Sequence, residues 1–290
     1  MFQPRSIAIF FRVLVTVLAL TATGLIVLFF LFLVKESLPV FQAEGVGFLT
    51  GRDWWAGESY GAWPMIFGSA IVTLLALGLA LPFALAGAVV ASEFLSSRLR
   101  WWAKSLMELF AGVPGIVYGL LGVGVLAPAV KEFFGLIDGN TLFTAALLLG
   151  IMVLPTLLTL ADDALHAVPG KFRDQAQSLG LSRLRTVWAV VLPQAKAGLL
   201  GAVFLGLGRA MGETIAVMLV IGGRDRMPAP WYNLFQPGQS IPSKLGREAA
   251  EAVGAGLQWN ALMGLGLMLF LMVLGMTVAG HLFLKRGRAA

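Results

Sequence analysis

Residues 161–193 read ADDALHAVPGKFRDQAQSLGLSRLRTVWAVVLP, a polar interval set between two hydrophobic runs. Within it Asp174, Gln175 and Ala176 are followed after three residues by Gly180, and after nine more by Val190, Val191, Leu192 and Pro193. This pattern predicts a short helix, a glycine break and a second short helix. Facing one side of a membrane, such a segment is a docking surface. What it docks to decides what the protein does.

The rest of the chain explains why a polar interval matters. Of 290 residues, 58% are hydrophobic and only 12% charged, and the mean hydropathy is +0.86. Soluble domains carry about 25% charged residues, so the chain falls among integral membrane proteins. The net charge of +6 is accounted for by bases at helix ends, and no nucleic-acid partner is expected. Cysteine is absent, which excludes disulfides and thiolate metal sites. His166 and His281 lie far apart and have no neighbouring ligand pattern, so neither a metal nor any cofactor is expected on this chain.

Apolar runs recur at residues 11–34, 65–91, 107–130, 141–160, 198–221 and 257–284. Each matches the roughly 20 residues needed to cross the hydrocarbon. Only a helix satisfies its own backbone in lipid, and the alternation of a barrel strand is missing from every run. The expected fold is an all-α integral membrane domain over residues 1–290 with six transmembrane helices. The first run exceeds a signal core of roughly 7–15 residues and is read as a retained anchor.

Placing both termini in the cytoplasm puts thirteen Lys and Arg inside, including Arg5, Lys285, Arg286 and Arg288, against seven outside, with Arg209 in a span. That bias favours this orientation and puts residues 161–193 in the cytoplasm. The eight tryptophans fall near predicted span ends or in adjacent loops, where amphipathic rings prefer to sit. Two external loops, Lys35–Pro64 and Gly222–Gly256, are sizeable. Pro228, Pro230 and Pro237 predict irregular backbone in the second, followed by a short helix with Ser243 as its N-cap. Asp138 and Asn140 look like the start signal of the fourth span. Glycines crowd the second, third and fifth spans, and Gly208 and Gly212 form a GxxxG pair suited to close helix packing. Pro82, Pro114 and Pro155 predict kinks.

Arg209 and Glu213 stand four residues apart in the fifth run, a spacing that shares one helix face. A charge at a span centre costs about 2.5–3.5 kcal/mol on insertion scales. These two residues therefore need a role, either as a mutual ion pair or as part of an anion pathway. In the second case Arg209 offers its planar fork to an oxyanion, while Glu213 holds the fork and limits how tightly the anion is bound. Asp162, Asp163 and His166 read as a solvated helix end or as partners of nearby bases, and only distantly as acid–base machinery. Ser69, Thr73 and Thr214 are hydroxyls within spans. No nucleotide-binding loop, nucleophile elbow or HExxH motif is present, so ATP hydrolysis, if coupled, occurs on another chain.

The opening interval resembles the EAA loop of membrane subunits of ABC-type importers: E-A-A, three residues, G, nine residues, then I-x-L-P. Ala176, Gly180, Leu192 and Pro193 match, while Asp174, Gln175 and Val190 stand for the glutamate, the first alanine and the isoleucine. AGVPGIVYGLLG at 111–122, ADDALHAVP at 161–169 and LGLGRAMGETIAVMLVIG at 205–222 resemble the phosphate-specific importer permeases of C-subunit type, with Gly115 where serine is usual. The resemblance implies a type I importer permease in the bacterial cytoplasmic membrane that carries out no catalysis itself. It also implies a related second permease, two ATPase subunits and an external phosphate-binding protein as partners. Asp174–Gly180 would then couple to the ATPase, and Arg209 and Glu213 would line the substrate path. An importer of sulfate, molybdate or tungstate is the alternative.

Overall fold

The computed structural model describes residues 4–287, with side chains for residues 9–282. The charges of Arg5, Lys285, Arg286 and Arg288 lie outside the described side chains. Among the described residues six helical stretches are long and apolar enough to cross a membrane: Ile9–Glu44, Trp63–Glu93, Gly115–Phe134, Leu142–His166, Arg183–Met211 and Leu257–Leu282.

In chain order, α1 (Pro4–Glu44) is followed by a single turn, α2 (Gly47–Thr50), and a two-residue-strand hairpin pairing β1 (Trp54–Trp55) with β2 (Ser59–Tyr60). The segment 35–64, expected as a loop, is thus largely ordered. Its apolar residues Val40, Phe48, Trp54, Tyr60 and Ala62 are buried against Ile241, Leu262 and Leu265, which gives the backbone something to fold onto.

α3 (Trp63–Glu93) packs along α7 (Leu142–His166) to form the centre of the bundle. Small residues make the approach close: Ala76, Ala80 and Ala84 of α3 meet Ala145, Leu149 and Met152 of α7 in one cluster. In lipid this packing, and not expulsion from water, drives helix association. Pro82 and Pro155 are carried inside α3 and α7, each removing one ladder bond. The start of α7 is capped by Thr141, whose Oγ1 accepts from Thr144 N. Asp138 instead accepts from the backbone and side chain of Asn140, one turn too early to cap.

Between α3 and α7 the expected span at 107–130 divides. α4 (Ser97–Ala111) ends at a break over residues 112–114, and α5 (Gly115–Leu121) then passes through a π turn at Gly122–Leu126 into α6 (Ala127–Phe134). Pro114 sets the boundary as the N-cap of α5, since the residue before a proline is driven out of the helical region.

The polar interval begins with α8 (Gly170–Ser178), which ends in a Schellman turn. Gly180 sits at φ +82°, its N–H donates to Gln177 O, and Leu181 N–H donates to Ala176 O. Glycine adopts that left-handed conformation without steric cost. The second short helix, α9 (Arg183–Thr186), is not separate. It runs through a π turn at Val187–Val191 into α10 (Leu192–Met211), so residues 183–211 form one long rod.

The fifth expected span, 198–221, also breaks. α10 stops at Met211 and α11 (Ile215–Val220) resumes after Thr214. Gly212 marks the end of a helix, and a Cβ on Gly208 would meet no atom within 4 Å among the described residues, so this glycine pair packs against no helix there. After an irregular segment comes α12 (Ile241–Glu248), capped by Ser240 and not by Ser243: Ser240 Oγ accepts from Ser243 N. α13 (Leu257–Gly287) closes the chain and packs on α1 and α10.

Candidate functional site

The two interruptions meet. Gly115, Gly119 and Gly122 lie on one side of α5 and its π turn, facing α11. A Cβ on Gly119 would come 3.1 Å from Ala216 Cα, and one on Gly115 would come 2.7 Å from Glu213 Oε1. The small-residue packing expected of the spans is found here.

Arg209 lies in the last turn of α10, exposed on this chain. Its Nη2 donates to the Ala111 carbonyl at 2.7 Å and its Nη1 to Thr156 Oγ1 at 2.8 Å. A helix end leaves its final carbonyls without helical partners, and the break after Ala111 supplies one to the guanidinium. The neighbouring Phe110 carbonyl accepts from the Tyr118 hydroxyl at 3.0 Å. The fork is therefore held by a carbonyl of one interrupted helix and a hydroxyl of α7.

Glu213 does not hold the fork. Because α10 stops at Met211, the four-residue spacing no longer puts both side chains on one face. Glu213 turns forward instead, and its Oε1 accepts from Ala216 N at 3.3 Å, capping the start of α11. No ion pair joins it to Arg209 among the described residues. Beside Glu213 is a cleft of about 10 Å³ lined by Ser69, Thr73, Met211, Ser240 and Pro242, room for roughly one water. Ser69 Oγ there accepts from Ile241 N at 2.8 Å, while Thr214 turns away to the Gly212 carbonyl. Ser69 and Thr73 are thus brought to Glu213, and Thr214 is not.

At the far end of α7 lies a charged network. Asp162 is buried and accepts from Arg100 Nε and Nη2, the latter at 2.8 Å. Asp162 holds the Arg100 guanidinium above the ordinary arginine value, although partial burial opposes it. Arg100 Nη1 also donates to His166 Nδ1 at 2.8 Å, and Lys104 pairs with Asp163. These contacts turn the paired aspartates into ties between α4 and α7, with no free acid–base pair.

Arg173, on the buried side of α8, reaches three groups at once. Its Nε and Nη2 donate to Glu93, the last residue of α3, with a shortest distance of 2.6 Å. Its Nη1 and Nη2 also reach the carbonyls of Val168 at 2.6 Å and Leu165 at 2.9 Å. Ala176 is buried in the same surface, whereas Asp174, Gln175 and Leu179 face outward, Leu179 being 83% exposed. Leu192 and Pro193 begin α10 just past the π turn. The interval therefore has an inner face seated on the bundle and an outer face left uncovered.

At the opposite end of the bundle Lys244 is buried, 1% exposed, between Asp225 at 2.5 Å and Glu248, with its Nζ 4.9 Å from the Trp54 ring centroid. No sequence signal marks this lysine or Glu93, Thr156 and the Ala111 carbonyl. Glu93, Thr156 and the Ala111 carbonyl are tied to partners distant in the chain, and Lys244 pairs with Asp225 19 residues away as well as with Glu248 one turn on.

Residues 80–286 match the family described as binding-protein-dependent transport system inner membrane component. The chain is 36% identical over 274 residues to the phosphate transport system permease protein PstC of Pasteurella multocida, covering 88% of this chain and 84% of that one. It is 32% identical to PstC of Haemophilus influenzae, covering 98% and 95% of the two chains. A probable ABC transporter permease protein of Bacillus subtilis, YqgH, is 32% identical, with 90% and 85% covered. Among solved structures, the MetNI methionine ABC transporter in an inward-facing conformation superposes with TM-score 0.57 at 17% identity, covering 78% of this chain and 94% of that one. A bacterial importer of the polysaccharide alginate gives TM-score 0.57 at 14% identity, with 93% and 95% covered. The six-helix arrangement is that of type I importer permeases. With that fold, and with its match to the family running through both interrupted helices and the polar interval, the chain belongs to the binding-protein-dependent transport system inner membrane components and is a multi-pass transport subunit, not an enzyme.

Proposed function

We propose that this chain is the translocating permease subunit of an ATP-driven phosphate importer. The observation that carries the reading is the exposed Arg209 fork, fixed by the Ala111 carbonyl and Thr156 where two interrupted helices meet. The names of the Pasteurella and Haemophilus relatives support phosphate as the substrate. A guanidinium matches the oxygens of a tetrahedral oxyanion bidentately. Held by uncharged acceptors, it keeps its full charge for a passing anion. Glu213, turned to cap α11, leaves that charge unneutralised on this chain while adding a negative group nearby that prevents tight retention.

In this reading both termini and α8 face the cytoplasm, following the excess of basic residues there. The outer face of the interval, with Asp174, Gln175 and the turn at Gly180, seats in an ATPase subunit, while the buried Ala176 and the packed Leu192 anchor it to the bundle and the exposed Pro193 completes the loop. The working assembly contains this chain, a related permease, two ATPase subunits and an external phosphate-binding protein that docks on residues 35–64 and 222–256. ATP binding and hydrolysis on the partner drive the interval, and the interrupted helices expose Arg209 to each side in turn.

The test is radiolabelled phosphate uptake into proteoliposomes holding the assembled complex. Arg209→Gln, with assembly verified, should lower uptake at least tenfold, and normal uptake would remove Arg209 from the pathway. Competition by unlabelled sulfate, molybdate and tungstate separates phosphate from the other oxyanions. A better competitor than phosphate would reassign the substrate.

A further inference from the structure

The interval must deliver movement to the pathway, and its backbone alone is a poor means. α8 joins α7 only through residues 167–169 and joins α9 only through the Gly180 turn. Both links are short non-helical segments without a continuous helical ladder to carry a push.

We propose that Arg173 is the positioning residue that locks α8 to the ends of α3 and α7, so that movement of the interval reaches Arg209 through α7. The proposal rests on the coupling role given above to the interval. Arg173 donates to the Glu93 carboxylate and to the carbonyls of Leu165 and Val168. Its side chain is 20% exposed and that of Glu93 7%, so water competes weakly for these bonds. Charge-assisted, forked bonds of this kind are the strong and directional ones, and the carbonyl end of α7 carries partial negative charge that favours a cation.

From Leu165 the route to the pathway is short. Thr156, which takes Arg209 Nη1, lies nine residues back along the same helix, about 14 Å at the helical rise. Pro155 stands next to Thr156 inside α7 and removes a ladder bond there, leaving the stretch 156–166 as an arm whose backbone ladder is interrupted beside the contact with Arg209. α4 moves with that arm because Arg100 grips Asp162, and α4 ends at the Ala111 carbonyl that takes Arg209 Nη2. Both anchors of the guanidinium thus sit on the body that Arg173 ties to the interval.

The experiment uses the assembled complex in proteoliposomes with binding protein and ATP, measuring phosphate taken up per ATP hydrolysed. Glu93→Gln keeps the size of the side chain and leaves the carbonyl bonds of Arg173 in place. Arg173→Lys keeps the charge and loses the fork. Both should lower uptake per ATP at least fivefold while hydrolysis by the Glu93→Gln complex remains stimulated by binding protein. Arg173→Gln should lower the ratio further. An unchanged ratio in Glu93→Gln and Arg173→Lys overturns the proposal. So does parallel loss of hydrolysis and uptake in complexes shown to be assembled, because the pair would then shape the ATPase contact without transmitting from it. Absence of ATP-driven phosphate uptake by the unmodified complex would instead remove the importer reading itself.

Discussion

Asp162 and Asp163 are adjacent, lie on one helix and pair with bases one turn apart on α4, yet they should differ sharply in worth. The Asp162 side chain is 2% exposed and that of Arg100 19%, whereas Asp163 is 53% exposed and Lys104 30%. Removing one partner of a buried pair costs about 3–5 kcal/mol, because the other is left charged and dry. Arg100 retains some water and its bond to His166, which lowers the expectation for Asp162→Asn to about 2–3 kcal/mol. An exposed pair contributes about 0–1 kcal/mol, so Asp163→Asn should cost less than about 0.5 kcal/mol. The assay is SDS-titrated unfolding of the purified subunit in mixed micelles, run as a double-mutant cycle with Arg100→Met and Lys104→Met. The Arg100–Asp162 cycle should give a coupling energy of about 1.5–3 kcal/mol, and the Lys104–Asp163 cycle close to none. Equal costs for the two asparagine variants, or a vanishing coupling for Arg100–Asp162, would refute the view that burial, not charge count, decides this network.

Gly115→Ala should push the Glu213 carboxylate off Ala216 N, since the new Cβ would lie 2.7 Å from Oε1; the lost cap is worth about 1 kcal/mol, and phosphate uptake should fall. Gly115→Ser should be milder, because its hydroxyl can donate to the displaced carboxylate, and identical behaviour of the two variants in uptake would place Glu213 elsewhere. Lys244→Met leaves Asp225 and Glu248 facing each other without their cation. With those carboxylates 27% and 29% exposed, the loss should be about 1.5–3 kcal/mol, below the range for a fully buried pair, and read as a lower thermal midpoint of the purified subunit.

The spans were legible because lipid leaves the chain few options. A run such as 65–91, apolar and uncharged, has to be a helix, and α3 is one. Interruptions within spans were less legible. Gly112, Pro114 and Gly212 are visible as helix breakers, but Gly208 and Gly212 suit a packing motif equally well, and only the end of α10 at Met211 decides between them. That one boundary also undoes the inference that Arg209 and Glu213 share a face. Local capping was read to within a turn: Ser240 and Thr141 cap where Ser243 and Asn140 were expected. The partners of Arg209, Arg173 and Arg100 were beyond reach, because Ala111 stands 98 residues from Arg209, Glu93 80 from Arg173 and Asp162 62 from Arg100. Local periodicity carries no information over such separations.

One feature of the first helix extends to the membrane itself. α1 has 41 residues, about 60 Å of rod against roughly 30 Å of hydrocarbon. From residue 9 to residue 29 every side chain is exposed, and contact with the rest of the chain begins only near Phe30, whose ring meets Phe270 of α13 at 5.4 Å. That first half continues, in the same helix, a second half held along α13, where Leu33, Ser37 and Val40 are buried and Glu36 accepts from Trp259 and Asn260. The rod therefore leaves the bundle at one slant, and a bilayer of another depth has to thin or thicken around it, as canvas follows a fixed pole.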